Sequence, residues 1–200
     1  MQQPGRPREF DPEEMLSKIM HLFWENGYEA TGLSDIIAAT GMGKASLYSA
    51  FGNKRAMYLK ALAQYEILMV DAAVAILRAH DRAPLDRIDA YLSAPLVAVR
   101  DEADRRGCFL CNAAADRASL DGKTGALVLR GYGKMRSAVA AALQDADPDL
   151  DAASIARNAQ LIVTVYSGMR VMSRSGMEVA DLALAKDAVL ANLTPPQARA

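Results

Sequence analysis

The stretch that decides the fold runs from Leu33 to Gly52. Leu33 to Thr40 reads Leu-Ser-Asp-Ile-Ile-Ala-Ala-Thr, then Gly41-Met42-Gly43 interrupts. Lys44 to Phe51 follows as Lys-Ala-Ser-Leu-Tyr-Ser-Ala-Phe and is closed by Gly52. Glycine just past a helical run is a stop signal. The spacing predicts two short helices joined by a glycine-containing turn, which describes a helix-turn-helix. In such a unit the second helix enters the DNA major groove.

Working outward, a first helix is signed at both ends. Asp11 is a good N-cap, Pro12 suits the first turn, and Glu14 stands where a capping box needs it. Phe10 and Met15 sit at the positions of a hydrophobic staple. Leu16, Ile19, Met20 and Phe23 make an apolar stripe, and Asn26-Gly27 is a stop. Beyond Gly52, Asn53 caps a helix predicted to reach about His80, with Met57, Leu62, Tyr65, Met69, Ala72 and Ile76 on one face. No proline lies between Pro12 and Pro84, between Pro95 and Pro148, or between Pro148 and Pro195. Further helices are predicted over 85–105, 108–120, 123–145, 152–174 and 177–193. Asp147-Pro148-Asp149, Ser175-Gly176 and Thr194-Pro195-Pro196 mark the later boundaries. The expected fold is all-α, with about nine helices.

The 200 residues are 52% hydrophobic and 24% charged, which excludes wholesale disorder, and two cysteines are too few for a disulfide scaffold. The longest uncharged stretch, Asn158 to Met169, is 12 residues, short of the roughly 18–20 a membrane span needs. Met1 is followed by Gln-Gln-Pro-Gly-Arg-Pro-Arg with no apolar run. No signal peptide is therefore expected, and the expected location is cytoplasmic. Net charge is −1, so only its distribution is informative. Ile36 to Tyr65 holds Lys44, Lys54, Arg55 and Lys60 and no acid, whereas residues 1–35 hold three bases and seven acids. That asymmetry suits a face turned toward phosphate, although a solvated charged surface would give the same sum.

Four motifs then combine: Gly27-Tyr28-x-Ala30-Thr31, Asp35-Ile36-Ile37-Ala38, Gly41-x-x-Lys44-x-x-Leu47-Tyr48 and Phe51-x-x-Lys54. From Phe10 to about Tyr65 the chain resembles the DNA-binding domain of the tetracycline-repressor (TetR) family of bacterial regulators. The remaining residues resemble the family in length, helical content and order. The resemblance implies a flexible arm at 1–9, a helix-turn-helix domain of three helices at 10–56 and a larger helical effector-binding and dimerisation domain at 57–200. It implies a homodimeric, ligand-responsive repressor on a near-palindromic double-stranded DNA operator. By position, Thr31 and the start of the second helix approach a phosphate. Lys44, Ala45, Ser46 and Ser49 face the groove, Tyr48 and Lys54 hold the backbone, and Asn53 caps the fourth helix. Leu33, Ile36, Ile37, Leu47, Phe51 and Phe23 would form the small core. Gly32 and Gly43 depart from the pattern, occupying N-cap slots where the family often has Ser or Thr.

Arg106 to Asn112, Arg-Gly-Cys-Phe-Leu-Cys-Asn, resembles the Gly-Cys-Leu start of a middle helix in a branch of the family. Cys108 and Cys111 are read first as packing residues and alternatively as a thiol redox sensor; as a zinc signal the pair is weak. An unidentified small-molecule effector is expected among Tyr65, Met69, Tyr91, Phe109, Asn112, Tyr132, Met135, Tyr166 and Met169, although each taken singly reads as ordinary core. Ile155, Leu161, Ile162, Val165, Tyr166, Leu182, Leu184 and Val189 offer apolar surface for a dimer that would complete a four-helix bundle. No metal or cofactor is expected. Enzyme readings fail: Gly122-Lys123-Thr124 lacks the first glycine of a phosphate loop, and Gly41-Met42-Gly43 lacks a preceding strand. No Gly-x-Ser-x-Gly occurs, and His21 and His80 stand alone. A small-molecule sensor or carrier with a vestigial DNA domain is the rival reading.

Overall fold

The structure, a computed structural model, describes residues 10–193. The expected arm at 1–9 and the boundary at Thr194-Pro195-Pro196 lie outside the described residues. Those residues are helical without strands, in the order α1 (Pro12–Ala30), α2 (Leu33–Thr40), α3 (Lys44–Phe51), α4 (Lys54–Tyr65), α5 (Asp71–Leu77), α6 (Pro84–Glu102), α7 (Phe109–Asp116), α8 (Gly122–Ala146), α9 (Ala152–Arg174) and α10 (Val179–Leu193). A π-helical turn, Glu66–Val70, joins α4 to α5 without a break. With that run counted as one, the described residues hold nine helices. The chain divides into two compact units between Gln64 and Tyr65.

In the first unit, Asp11 caps α1 by accepting from the Glu13 amide at 2.9 Å. Glu14 does not close the expected capping box; it pairs with Lys18 at 2.7 Å, one turn on. The helix breaks at Gly27 (φ 80°), as Asn26-Gly27 signals. Met15, Ile19, Met20, Phe23 and Trp24 form its buried stripe. Gly41 takes φ 68° and donates its amide to the Ile37 carbonyl at 2.9 Å, ending α2. That left-handed backbone is open to glycine at no steric cost, so the turn before α3 stays tight. Ile36, Leu47 and Phe51 are buried as expected, while Leu33 and Ile37 are half-buried. α4 belongs to this unit by packing. Met57, Tyr58, Ala61 and Leu62 are all buried, and the Tyr58 ring meets Phe23 and Tyr28 edge-on at 5.2 and 5.0 Å. The unit therefore extends past residue 56, the boundary read from sequence.

The second unit is a helical bundle in which α8 packs along α9, with α6 and α10 against them. Asp121 and Asp151 cap α8 and α9 through the Lys123 and Ser154 amides. α6 begins at Pro84, where a missing N–H costs nothing. It tolerates buried Pro95 inside and ends at Glu102, because Ala103 turns left-handed (φ 52°). α7 stops at Asp116, before the predicted 120, as the chain turns toward the Asp121 cap. The π-turn has no sequence signal. Buried Glu66 fixes it, receiving Arg130 Nε at 2.9 Å and lying 2.9 Å from Lys134 Nζ. Lys134 also reaches Asp71 at 2.8 Å.

Candidate functional site

α3 is held from beneath and bare above. Leu47 and Phe51 are its buried anchors, while Lys44, Ala45, Ser46, Tyr48, Ser49 and Ala50 are exposed. Tyr48, 40% exposed, is thus not a core aromatic. Gly43 supplies no side-chain cap and the first turn has no acid, so the amides of α3 and the Lys44 ammonium sum to a positive end. By contrast, Asp35 in the first turn of α2 accepts from the Gly32 amide at 2.7 Å.

The other residues the sequence singled out divide into two groups. Asn53 caps α4 as expected, accepting from the Ala56 amide at 2.9 Å. Lys54 is anchored: its Nζ donates to the Glu29 carbonyl at 3.3 Å and lies 4.5 Å from the Tyr28 ring centroid. Lys60 donates to the Ala50 carbonyl at 3.0 Å and so stabilises the last turn of α3. Thr31 departs from its expected place. It is 1% exposed, and its hydroxyl donates to the Gly27 carbonyl at 2.7 Å, closing the turn after α1. The exposed hydroxyl at the start of α2 is that of Ser34.

The second unit contains a partly open cavity of about 450 Å³. Of the residues expected to line one, Tyr65, Met69, Met135 and Tyr166 do. Tyr91 and Phe109 are buried in the core instead, Tyr91 stacked 4.3 Å from Tyr166 and Phe109 edge-on to Tyr65 at 5.7 Å. Asn112 donates to the Arg106 carbonyl, and Tyr132 to the Cys111 sulfur. Met169 packs with Leu96 and Leu182. Cys108 and Arg170, which sequence reasoning left off the wall, belong to it. Both cysteines are buried. The hydrogen bond from Cys111 lowers the Cys108 thiol against the opposing effect of burial, and the same bond and burial raise Cys111. Burial pushes the Tyr65, Tyr91 and Tyr166 hydroxyls above their ordinary range, so they stay protonated.

Four residues expected at a dimer face lie inside the protomer: Ile162, Leu182, Val189 and Tyr166 are 0%, 1%, 5% and 7% exposed. Ile155 is half-buried, and Val165, also half-buried, packs on the Leu96–Met169–Leu182 cluster. The exposed large apolar side chains of α9 and α10 are Leu161, Val171, Met172 and Leu184. Among the described residues no cluster of potential metal ligands occurs, and no helix is long and apolar enough to cross a membrane.

The geometry defines the first unit as a helix-turn-helix module, and comparison with known proteins adds its lineage. Residues 15–61 match the family model described as bacterial regulatory proteins, tetR family. The HTH-type transcriptional repressor ComR of Escherichia coli (strain K12) is 33% identical over 108 residues, covering 54% of this chain and 51% of that protein. The HTH-type transcriptional repressor BdcR of the same organism is 37% identical over 62 residues, 31% of this chain and 32% of that protein. The chain spans about half the length, or less, of the curated relatives it matches. A cysteine-substituted form of the TetR family transcriptional regulator CifR, solved with a 26-base-pair operator duplex, superposes with a TM-score of 0.81 at 24% identity, covering 94% of this chain and 98% of that one. Reduced NemR of E. coli gives 0.79 at 19% identity, covering 89% and 94%. These two likenesses establish the shared fold. The match to the tetR-family model lies within the first unit, at residues 15–61.

Proposed function

We propose that this protein is a DNA-binding transcriptional regulator, a ligand-responsive repressor that acts as a cytoplasmic homodimer on a near-palindromic operator. The observation that carries the reading is α3: six exposed residues over two buried anchors, with an uncapped, acid-free N-terminus bearing Lys44. Phosphate oxygens and base edges supply what such a helix lacks. Tyr48 and Lys54 suit backbone contacts, and Lys44 suits a guanine edge. Half-sites lie about 34–36 Å apart, so a shift of a few ångströms between two recognition helices would release the DNA. Dimerisation falls to the exposed apolar side chains Leu161, Val171, Met172 and Leu184 rather than to Ile162, Leu182 and Val189. No enzymatic role is assigned.

Competition titrations on a selected operator duplex test the reading. Lys44→Ala loses about 1–3 kcal/mol on the operator and little on random DNA. Unchanged operator affinity on Lys44→Ala, with the fold intact, overturns the assignment of α3. Leu184→Asp should give a monomer in sedimentation at micromolar concentration, and a wild-type monomer there removes the homodimer.

A further inference from the structure

The wall of the cavity in the second unit holds a buried guanidinium. Arg170 on α9 is 6% exposed and lines the cavity, and its Nε has no hydrogen-bond partner. No ion pair among the described residues reaches it. Two acids share the cavity wall. Asp104 hydrogen-bonds Arg106, accepting its backbone amide, Nε and Nη2 at 2.9 Å each, and meets Arg170 through charge alone, while Glu102 is exposed. The remaining polar groups beside Arg170 are the hydroxyl of Tyr65, which hydrogen-bonds the guanidinium, that of Tyr166, and Cys108, whose thiol the Cys111 hydrogen bond and the guanidinium charge lower to about 6 against burial. Burying a guanidinium without an anion is costly, and a guanidinium does not escape by losing its proton.

Two further features converge on the same space. Cys108 is the N-cap of α7, whose first turn has no acid and no side-chain cap, so that end favours negative charge. The π-helical turn Glu66–Val70 contributes Met69 and Val70 to the wall, and such turns are frequent at functional sites. Away from Arg170 the wall is mostly apolar, with Ile76, Ala94, Val97 and Met135, and also carries the exposed Arg82.

We propose that this cavity binds an amphipathic monocarboxylate, with its carboxylate on the Arg170 guanidinium and its apolar body along Met69, Val70, Ile76 and Met135. Guanidinium and carboxylate match in a planar fork of hydrogen bonds, and the apolar wall takes the part of the ligand that water disfavours. The proposal gives the effector of the proposed regulator its chemical class and rests on that reading for its biological consequence alone.

Calorimetric titration of the full chain with octanoate, octan-1-ol and octyltrimethylammonium tests it, and 2-naphthoate tells an aromatic body from an aliphatic one. Either carboxylate should bind at least about tenfold tighter than the alcohol, equivalent to ~1.4 kcal/mol, and the cation should not bind. Arg170→Gln should bring acid and alcohol to parity, while Arg170→Lys should keep a preference for the acid. Circular dichroism shows whether each variant folds; if Arg170→Gln does not, the wild-type and Arg170→Lys titrations decide. Equal binding of octanoate and octan-1-ol by the wild type, or a preference for acid retained in folded Arg170→Gln, overturns the proposal. Fluorescence anisotropy on the operator duplex separates the two readings. A protein that binds DNA but no carboxylate loses only the cavity assignment. One that binds octanoate with unchanged DNA affinity keeps the cavity and loses ligand-responsiveness.

Discussion

α3 and α7 are both eight residues long, and neither has a side-chain cap or an acid in its first turn. Their surroundings are opposite. α3 buries Leu47 and Phe51 alone, whereas α7 buries Phe109, Leu110, Cys111 and Ala113. An uncapped helix start leaves amide donors without helical partners. On α3 water can serve them until an anion displaces it. On α7 the same deficiency sits at the edge of a cavity, beside a buried guanidinium. One local defect thus has two settings, an exposed surface in one unit and a cavity wall in the other, and burial makes the difference.

The largest test of the contrast is Phe109→Ala, which should cost about 3–5 kcal/mol in urea unfolding. Ser46→Ala on α3 should stay within about 0.5 kcal/mol. Similar values for the two would abolish the distinction between a core helix and a presented one.

The Glu66 clamp on the π-turn comes next. Glu66→Gln should cost about 1–2 kcal/mol at pH 7, below the value for a fully buried pair, because Arg130 and Lys134 are partly exposed. Burial pushes the Glu66 carboxyl up, but the bonds and charges of Arg130 and Lys134 outweigh it and hold the group below its ordinary range. A depressed carboxyl contributes stability above its unfolded value and loses it as pH falls through the folded one. The wild-type advantage over Glu66→Gln should therefore be complete at pH 7 and vanish in melts near pH 3. An advantage that survives there assigns the effect to packing.

The cysteines of α7 should behave as core. Cys108→Ala and Cys111→Ala should each cost about 1–2 kcal/mol, with operator affinity indifferent to peroxide. Affinity lost in peroxide, restored by thiol and unaffected in Cys108→Ala would make α7 a redox switch. The smallest effect is on α4. Lys54→Ala should lower the salt slope of DNA binding by about one per subunit, and cost about 0.5–1 kcal/mol through its lost contact with Tyr28. A full salt slope in the variant would leave Lys54 a structural residue.

Much of this architecture was legible in advance because breakers are explicit. Gly27, Gly41, Gly52 and Pro84 each stand where a helix ends or begins, and the apolar stripe of α1 is written in its spacing. Capping geometry was less legible: Asp11 and Asn53 act alone, and Glu14 prefers Lys18. Thr31 shows why a site residue misreads. Its hydroxyl finds a carbonyl four residues back, and sequence cannot reveal a bond already spent. The cavity was half legible. Aromatic and methionine residues mark the interior in general, but Tyr91, Phe109 and Met169 pack elsewhere in it. Arg170 was overlooked, although it closes the 12-residue uncharged run and lies four residues after Tyr166, on the same helix face. Its isolation among apolar residues was the available signal.

Gly107 couples these parts mechanically. It holds φ 75°, and a Cβ there would meet the Arg170 carbonyl oxygen at 2.9 Å. The Arg174 side chain stands beside it, its Cβ 3.4 Å from the same point and its Nη1 donating to the Arg106 carbonyl at 2.8 Å, so the start of α7 and the turn of α9 that bears Arg170 meet with room for glycine alone. A methyl group at 107 would both strain the backbone and force the two helices apart.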